Sequence, residues 1–280
     1  MNLLRGYQLT VAPRFQLSVA WEDRIVLSPG NEEVNGWFYP REPWRTPSEK
    51  ELCLLVGDDS LESSVPELED CIGLYQLPQH LVSLWWEMVS GTQANPVGGF
   101  DGFDAYACEV CDFLDFKDIS VPREAKLDLL ASQPGEKSIR WDENVTGRQG
   151  LISNSAPETP WRSKSESIAP RLWGGINLGV EPVVLSFLNL PPKVMAQRLA
   201  DVDTTTPIPT TIGKLGQRFL RACSNYPVVG LKIEPGEGFR FPVDGVLVDG
   251  WLGANTDPTL LLLIREKAVC ELASTPQEVS

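Results

Sequence analysis

The sequence predicts an α+β protein, a mainly antiparallel β core flanked by helices, and three observations carry that prediction. Short apolar runs alternate at period two, as half-buried strands do, in "FQLSVAW" and again toward the C-terminus. Two longer segments, "LPQHLVSLWWEMVSG" and "TTIGKLGQRFLRACSNY", place their apolar residues at helical spacing instead. Gly- and Pro-rich turns punctuate the apolar runs of the last third, and Asp244-Gly245 has the chemistry of a tight hairpin turn.

Taken in order, Phe15, Leu17, Val19 and Trp21 alternate with Gln16, Ser18 and Ala20, and "RIVLS" follows a short acidic break. That pattern predicts a hairpin. "ELCLLVGDD", Glu51 to Asp59, reads as another strand running into a turn. The first helix enters through Pro78 and stops at Gly91, with Leu81, Leu84, Trp85 and Met88 making one broad apolar face. Residues 1–116 thus read as a β-rich part with one helix.

From 117 to 171 the composition shifts to Ser, Pro, Glu, Lys, Asn and Gly with few large aliphatics, which predicts a long loop or linker. Trp141 and Trp161 within it are expected to pack back on the fold. Residues 172–272 read as a second α+β part. "PVVLSFLNL" is a strand and "PPKVMAQRLADVD" a helix entered through proline. The next helix gathers Ile212, Leu215, Phe219, Leu220 and Cys223 on one face, capped by Thr211. "LKIEPGEGFRFPVDGVLVDGW" then splits into strands at its glycine turns, and "TLLLLI" has the continuous apolar character of a strand buried on both faces. Residues 273–280 are a polar tail.

The 280 residues, 42% hydrophobic and 22% charged, suffice for a packed core without disulfides. Lys plus Arg number 24 against 38 Asp plus Glu, a net charge of −14 that repels phosphate backbones and anionic lipid. No basic stripe reverses that sign, so nucleic acid and membrane surfaces are not expected partners. The N-terminus has no basic region followed by a sustained apolar run, and no apolar run reaches membrane-spanning length. The expectation is a cytoplasmic protein whose six cysteines are thiols.

A strand, a Pro-Gly-Glu turn, a strand, a segment ending in a polar residue plus glycine, and an aliphatic strand closing on arginine span about Val228 to Arg265. This succession resembles the end of the double-stranded β-helix, or jelly roll, of iron- and 2-oxoglutarate-dependent oxygenases and, more loosely, of cupins. The resemblance implies a distorted double-stranded β-helix here. In that family the residue before the glycine is the distal metal-binding histidine; this sequence has Asp249 there. A non-haem iron site needs two imidazoles and a carboxylate on one face. His80 is the single histidine of the sequence, so the usual iron triad is not expected and no cofactor is assigned.

The candidate ligand-binding residues are Arg240, Asp249, Trp251 and Arg265, the last as a carboxylate clamp by resemblance. A carboxylate at a strand end beside a large aromatic, Asp249-Gly250-Trp251, is suited to face a pocket. His80 reads as a surface or helix-end residue. Cys108 and Cys111 have knuckle spacing but form a single pair, whereas structural zinc takes four ligands, so two packed thiols are expected. Asp101 and Asp104 lack the order of a calcium loop and read as a solvated turn. Three functions follow: a protein that binds a small molecule or a protein partner without iron chemistry; an enzyme using Asp249 and Glu237 as unusual ligands, or cysteines and carboxylates; and an interaction module using exposed tryptophans.

Overall fold

The computed structural model describes residues 2–12, 15–56, 71–91, 102–116, 125–134, 150–153, 160–161, 171–242, 245–251 and 255–266. Along the chain they form β1 (Gln8–Val11), α1 (Trp21–Arg24), β2 (Ile25–Ser28), β3 (Asn31–Val34), β4 (Trp37–Pro40), α2 (Glu49–Val56), β5 (Cys71–Gln76), α3 (Gln79–Gly91) and α4 (Phe103–Phe116). Then come β6 (Ala125–Ser132), β7 (Ile152–Ser153), β8 (Arg171–Asn177), β9 (Val183–Phe187), α5 (Pro192–Val202), α6 (Ile212–Ala222), β10 (Val228–Ile233), β11 (Glu237–Arg240), β12 (Leu247–Trp251) and β13 (Thr259–Glu266). The mixed α+β class with mostly antiparallel sheets is as the sequence predicts.

Two sheets organise the strands other than β3 and β4, one in the order β1-β5-β11-β8-β13-β6 and the other in the order β2-β10-β9-β12-β7, while β3 and β4 pair only with each other. β1 and β5 pair in parallel; the other pairs are antiparallel. Side-chain alternation gives each sheet two faces. Ile72, Leu74, Phe239, Leu261 and Leu263 of the six-stranded sheet join Val183, Leu185, Phe187, Val229, Leu231 and Val248 of the five-stranded sheet in one buried cluster. These are the inner faces. On the outer face of the six-stranded sheet, Tyr75, Ile176, Leu262 and Ile264 meet Leu81 and Trp85 of α3 and Tyr106, Val110 and Leu114 of α4. The "TLLLLI" strand therefore feeds both clusters, which accounts for its unbroken apolar run.

The helices read from spacing form as predicted. α6 buries Ile212, Leu215, Phe219, Leu220 and Cys223, although Thr211 caps it without a side-chain hydrogen bond. Trp161 packs back, its indole N–H donating to the Pro209 carbonyl at 2.6 Å; Trp141 lies outside the described residues, as do Asp101, Asp244, Cys270 and the tail.

Several expectations are overturned. Phe15 to Ala20 is not a strand, because its side chains are anchored in different places: Phe15 packs on Tyr75 while the Ser18 hydroxyl donates to Glu237. The hairpin of this region lies further on, β3 with β4, through Asn35-Gly36 at φ 54° and 85°. "ELCLLV" is helix α2, closed by a reciprocal cap in which the Ser48 amide donates to Glu51 at 2.9 Å and the Glu51 amide to the Ser48 hydroxyl at 3.4 Å. Asp104, read as part of a turn, sits in the first turn of α4, and Cys108 and Cys111 ride on the same helix. The stretch from 117 to 171 carries β6, which pairs with β13 over eight residues, and β7.

The Gly245 turn does not close a hairpin either. β11 pairs with β5 and β8, whereas β12 pairs with β9 and β7. The chain crosses from one sheet to the other there, so Phe239 and Val248 reach the shared core from opposite sides. It crosses in the same way between β10 and β11, through Gly236 at φ 78°.

Candidate functional site

The four residues singled out from the sequence lie in three different places. Arg240 is opposite Gly73 on one side and Gly174 on the other. It is therefore on the outer face of the six-stranded sheet, under α3 and α4, and only 6% exposed. Asp249 is opposite Ser186 in the other sheet, and Ser186 is in turn opposite Gly230. That row faces away from the core: Val248 is inward, and a side-chain carbon placed on Gly230 would meet Val26, Val184 and Trp44. Trp251 continues the same strand, its backbone paired with Val184.

Arg265 is elsewhere again. It lies beyond a register shift at Ile264/Arg265, opposite Leu172 of β8 and Lys126 of β6. Its Nε is 3.2 Å from Asp128 Oδ2, and the same carboxylate takes Lys126 Nζ at 2.8 Å. Arg240 and Asp249 thus belong to opposite outer faces of the molecule. A single pocket holding Arg240, Asp249 and Arg265 is not what the fold builds.

The surroundings of Arg240 are unusual for a core. The ladder sets Tyr75 opposite Gly238 and Arg240 opposite Gly73, so the two large side chains lie diagonally on one face. Each leans over a glycine. A side-chain carbon on Gly73 would fall 2.8 Å from Arg240 Nε, and one on Gly238 would fall 2.2 Å from the Tyr75 ring. Phe15 covers Tyr75 with ring centroids 6.5 Å apart, and Phe113 of α4 stands edge-on to Phe15 at 6.2 Å.

Within this apolar layer two phenols are left with unused hydrogen-bonding capacity. Tyr75 and Tyr106 are both buried, and among the described residues neither hydroxyl oxygen has a partner. Burial above all, and then the nearby Cys111, push the Tyr75 phenol above its ordinary range, with the Arg240 guanidinium pulling the other way. Burial alone raises Tyr106. Both groups are therefore neutral O–H donors across the physiological range. An orphaned buried donor costs about 1–3 kcal/mol, so the arrangement is not what packing alone would select.

Glu237, a candidate unusual ligand, has a structural task instead. Its carboxylate takes Arg24 Nη1 at 2.5 Å and Nη2 at 2.7 Å, the Ser18 hydroxyl at 3.3 Å and the Glu234 amide at 2.9 Å. Arg24 Nε donates to the Val19 carbonyl at 2.9 Å. Every element of a buried fork-to-fork pair is satisfied, which ties the segment before β2 to the β10–β11 crossing. His80 is exposed on α3. Cys53, Cys71, Cys108, Cys111 and Cys223 take part in no disulfide among the described residues, where no three His, Cys, Asp or Glu side chains gather as metal ligands would. No described helix is long and apolar enough to cross a membrane.

Sequence reasoning named Arg240 but missed Tyr75, Tyr106 and Arg24. A signal for the first was present: glycine inside a strand, as in "CIGLY" and "WGGIN", marks a close approach. What approaches follows only from the pairing of β11 with β5 and β8. Comparison with protein-family models, with curated proteins and with solved structures finds no match to this chain.

Proposed function

We propose that β6 to β13 form a double-stranded β-helix and that the protein uses this scaffold to bind a small molecule, without iron chemistry, at the Arg240–Tyr75 face. The fold part of this reading is supported by the strand order. Numbering β6 to β13 as first to eighth, one sheet runs first-eighth-third-sixth and the other second-seventh-fourth-fifth. That is the order produced when an antiparallel ribbon is wound into two facing sheets, and each sheet-to-sheet crossing at Gly236 and Gly245 belongs to it. β5 and β1 extend one sheet and β2 the other.

Iron is the group that this architecture holds in the oxygenases it resembles, and the residues here do not fit it. Asp249 on the seventh strand turns away from the space between the sheets, and the single imidazole, His80, stands exposed on α3. Phe187, Phe239, Leu185, Leu231, Leu261 and Leu263 occupy the inner faces. The observation that carries the binding reading is on the other side of the six-stranded sheet: a buried guanidinium packed over Gly73 beside a buried phenol packed over Gly238, the phenol with unused hydrogen-bonding capacity among the described residues. A few polar groups set in mostly apolar surroundings are the ordinary composition of a ligand site.

Two measurements on the whole chain test this. A fragment library screened by thermal shift should give hits whose stabilisation disappears in Arg240→Gln. An oxygen electrode with added iron(II) and 2-oxoglutarate should record no uptake that depends on Asp249. Absence of any Arg240-dependent hit, or oxygen uptake abolished by Asp249→Asn, contradicts the reading.

A further inference from the structure

We infer that β6 is the contact strand of a homodimer: two copies of this chain join antiparallel along their β6 edges, with Leu127 on the two-fold axis and Lys126 of each copy opposite Asp128 of the other. This interface lies at the end of the six-stranded sheet and is independent of any ligand at Arg240.

β6 closes the six-stranded sheet, and among the described residues it pairs with β13 alone. The Leu178 amide donates to the Leu260 carbonyl at 2.8 Å, so Leu260 turns its backbone groups toward β8. Antiparallel strands alternate the direction of those groups residue by residue. Leu261 and Leu263 therefore bond toward β6, to their partners Leu130 and Asp128. Ala125, Leu127, Leu129 and Ala131 are left directing their N–H and C=O groups away from the sheet. Exposed edges are commonly blunted by shortness, proline or a bulge. β6 runs eight residues, "AKLDLLAS", without proline and in unbroken register with β13. Leu127, Leu129 and Leu130 are only half-buried, while Leu261 to Ile264 beside them are buried. A strand laid on this edge covers those leucines and satisfies the open backbone groups.

Charge complementarity identifies that strand as a second β6. Only registers that set odd-numbered residues opposite odd-numbered ones close hydrogen bonds across such an edge. Lys126 and Asp128 then fall in the non-hydrogen-bonded rows, where side chains stand closest. With Asp128 on the axis, its carboxylate faces its own copy, and like charges directly opposite destabilise. With Leu129 on the axis, each Asp128 is set against Leu130 of the other copy, an apolar neighbour that cannot pair the charge. With Leu127 on the axis, Leu127 faces itself, Ala125 faces Leu129, and Lys126 faces Asp128 twice, which stabilises. "AKLDL" is thus complementary to its own reverse. The Lys126 side chain is 60% exposed and already reaches its own Asp128 at 2.8 Å; an ammonium with three donors can serve both carboxylates. Repeating one patch about a two-fold axis is the commonest symmetry of soluble oligomers.

Sedimentation velocity of the full chain across the micromolar range should show a monomer–dimer equilibrium. Lys126→Glu sets like charges opposite each other twice and should weaken the dimer by about tenfold or more, with the far-UV circular dichroism of the parent chain retained. Leu127→Cys should cross-link to a second copy on mild oxidation, above the background of the parent chain's own thiols, because the facing Cα atoms stand about 5.5 Å apart, within disulfide reach. Ala131→Cys, exposed on the same edge but far from the axis, should not. Lys126→Glu decides the matter even if Leu127→Cys fails to fold. A monomer at every concentration, a dimer indifferent to Lys126→Glu, or cross-linking through Ala131→Cys in place of Leu127→Cys overturns the inference.

Discussion

Arg24 and Glu237 show how much one pair of residues governs here. Their side chains are 0% and 3% exposed, and both have given up hydration for each other and for four neighbouring groups. Removing one partner strands the other charge in a medium that cannot solvate it, so Arg24→Ala is expected to destabilise by about 3–5 kcal/mol. Replacing both, as Arg24→Met with Glu237→Leu, should cost much less than the sum of the single changes. Urea denaturation of the three variants checks this; additive losses would mean that the pair does not act as a unit. Nothing in the sequence joins these residues, which are 213 positions apart. An acidic residue at a glycine turn reads as a solvated charge until the crossing from β10 to β11 brings it under the segment before β2.

Helix α2 was legible at the level of elements, but through its cap rather than its apolar pattern. Ser48 and Glu51 have the three-residue spacing of a capping box, which outweighs the strand-like look of "LCLLV". Arg45, hydrogen-bonded to Glu51 at 2.6 Å and 2.8 Å, pulls its carboxyl from 4.5 down to about 2, with help from Ser48. A carboxyl depressed on folding adds stability that is fully present above its unfolded pKa and fades as pH falls through the folded one. The contribution is thus lost between about pH 4.5 and 2, and Glu51→Gln is expected to flatten the acid limb of the stability profile over that window, measured by denaturant midpoint against pH. An unchanged limb would contradict it.

β6 was legible too, since Ala125, Leu127, Leu129 and Ala131 alternate, yet the polar sequence around it hid the period. The glycine floor belongs to the same scale. Gly238→Ala gains about 0.5–1 kcal/mol of backbone preference, but the added methyl meets the Tyr75 ring at 2.2 Å, backed by Phe15. Overpacking of that kind costs about 1–3 kcal/mol, so the variant should lose stability in a thermal melt; a gain would mean that the ring has somewhere to go.

For the molecule as a whole, two sheets share one apolar core and a second apolar layer lies under α3 and α4. Phe239 is fully buried in the shared core, its ring tip 3.1 Å from where a side chain on Gly175 would stand and its ring centroid 5.3 Å from that of Phe241. Phe239→Ala should therefore destabilise by about 3–5 kcal/mol, read from denaturant unfolding, and a loss under about 1 kcal/mol would mean that this core is loosely packed. The fold class could be read from period-two runs and helical spacing. The site could not, because the face on which Arg240 or Asp249 stands depends on pairings between distant strands and on one register shift, and a slip of one residue exchanges the faces.

Hydrogen–deuterium exchange of the whole chain, with and without a saturating fragment whose stabilisation depends on Arg240, tests the placement of function most directly. Added protection confined to Cys71–Gln76, Glu237–Arg240 and α4 is the predicted result. Protection centred instead on Val183–Phe187 and Leu247–Trp251 would put the ligand on the Asp249 face and contradict the account.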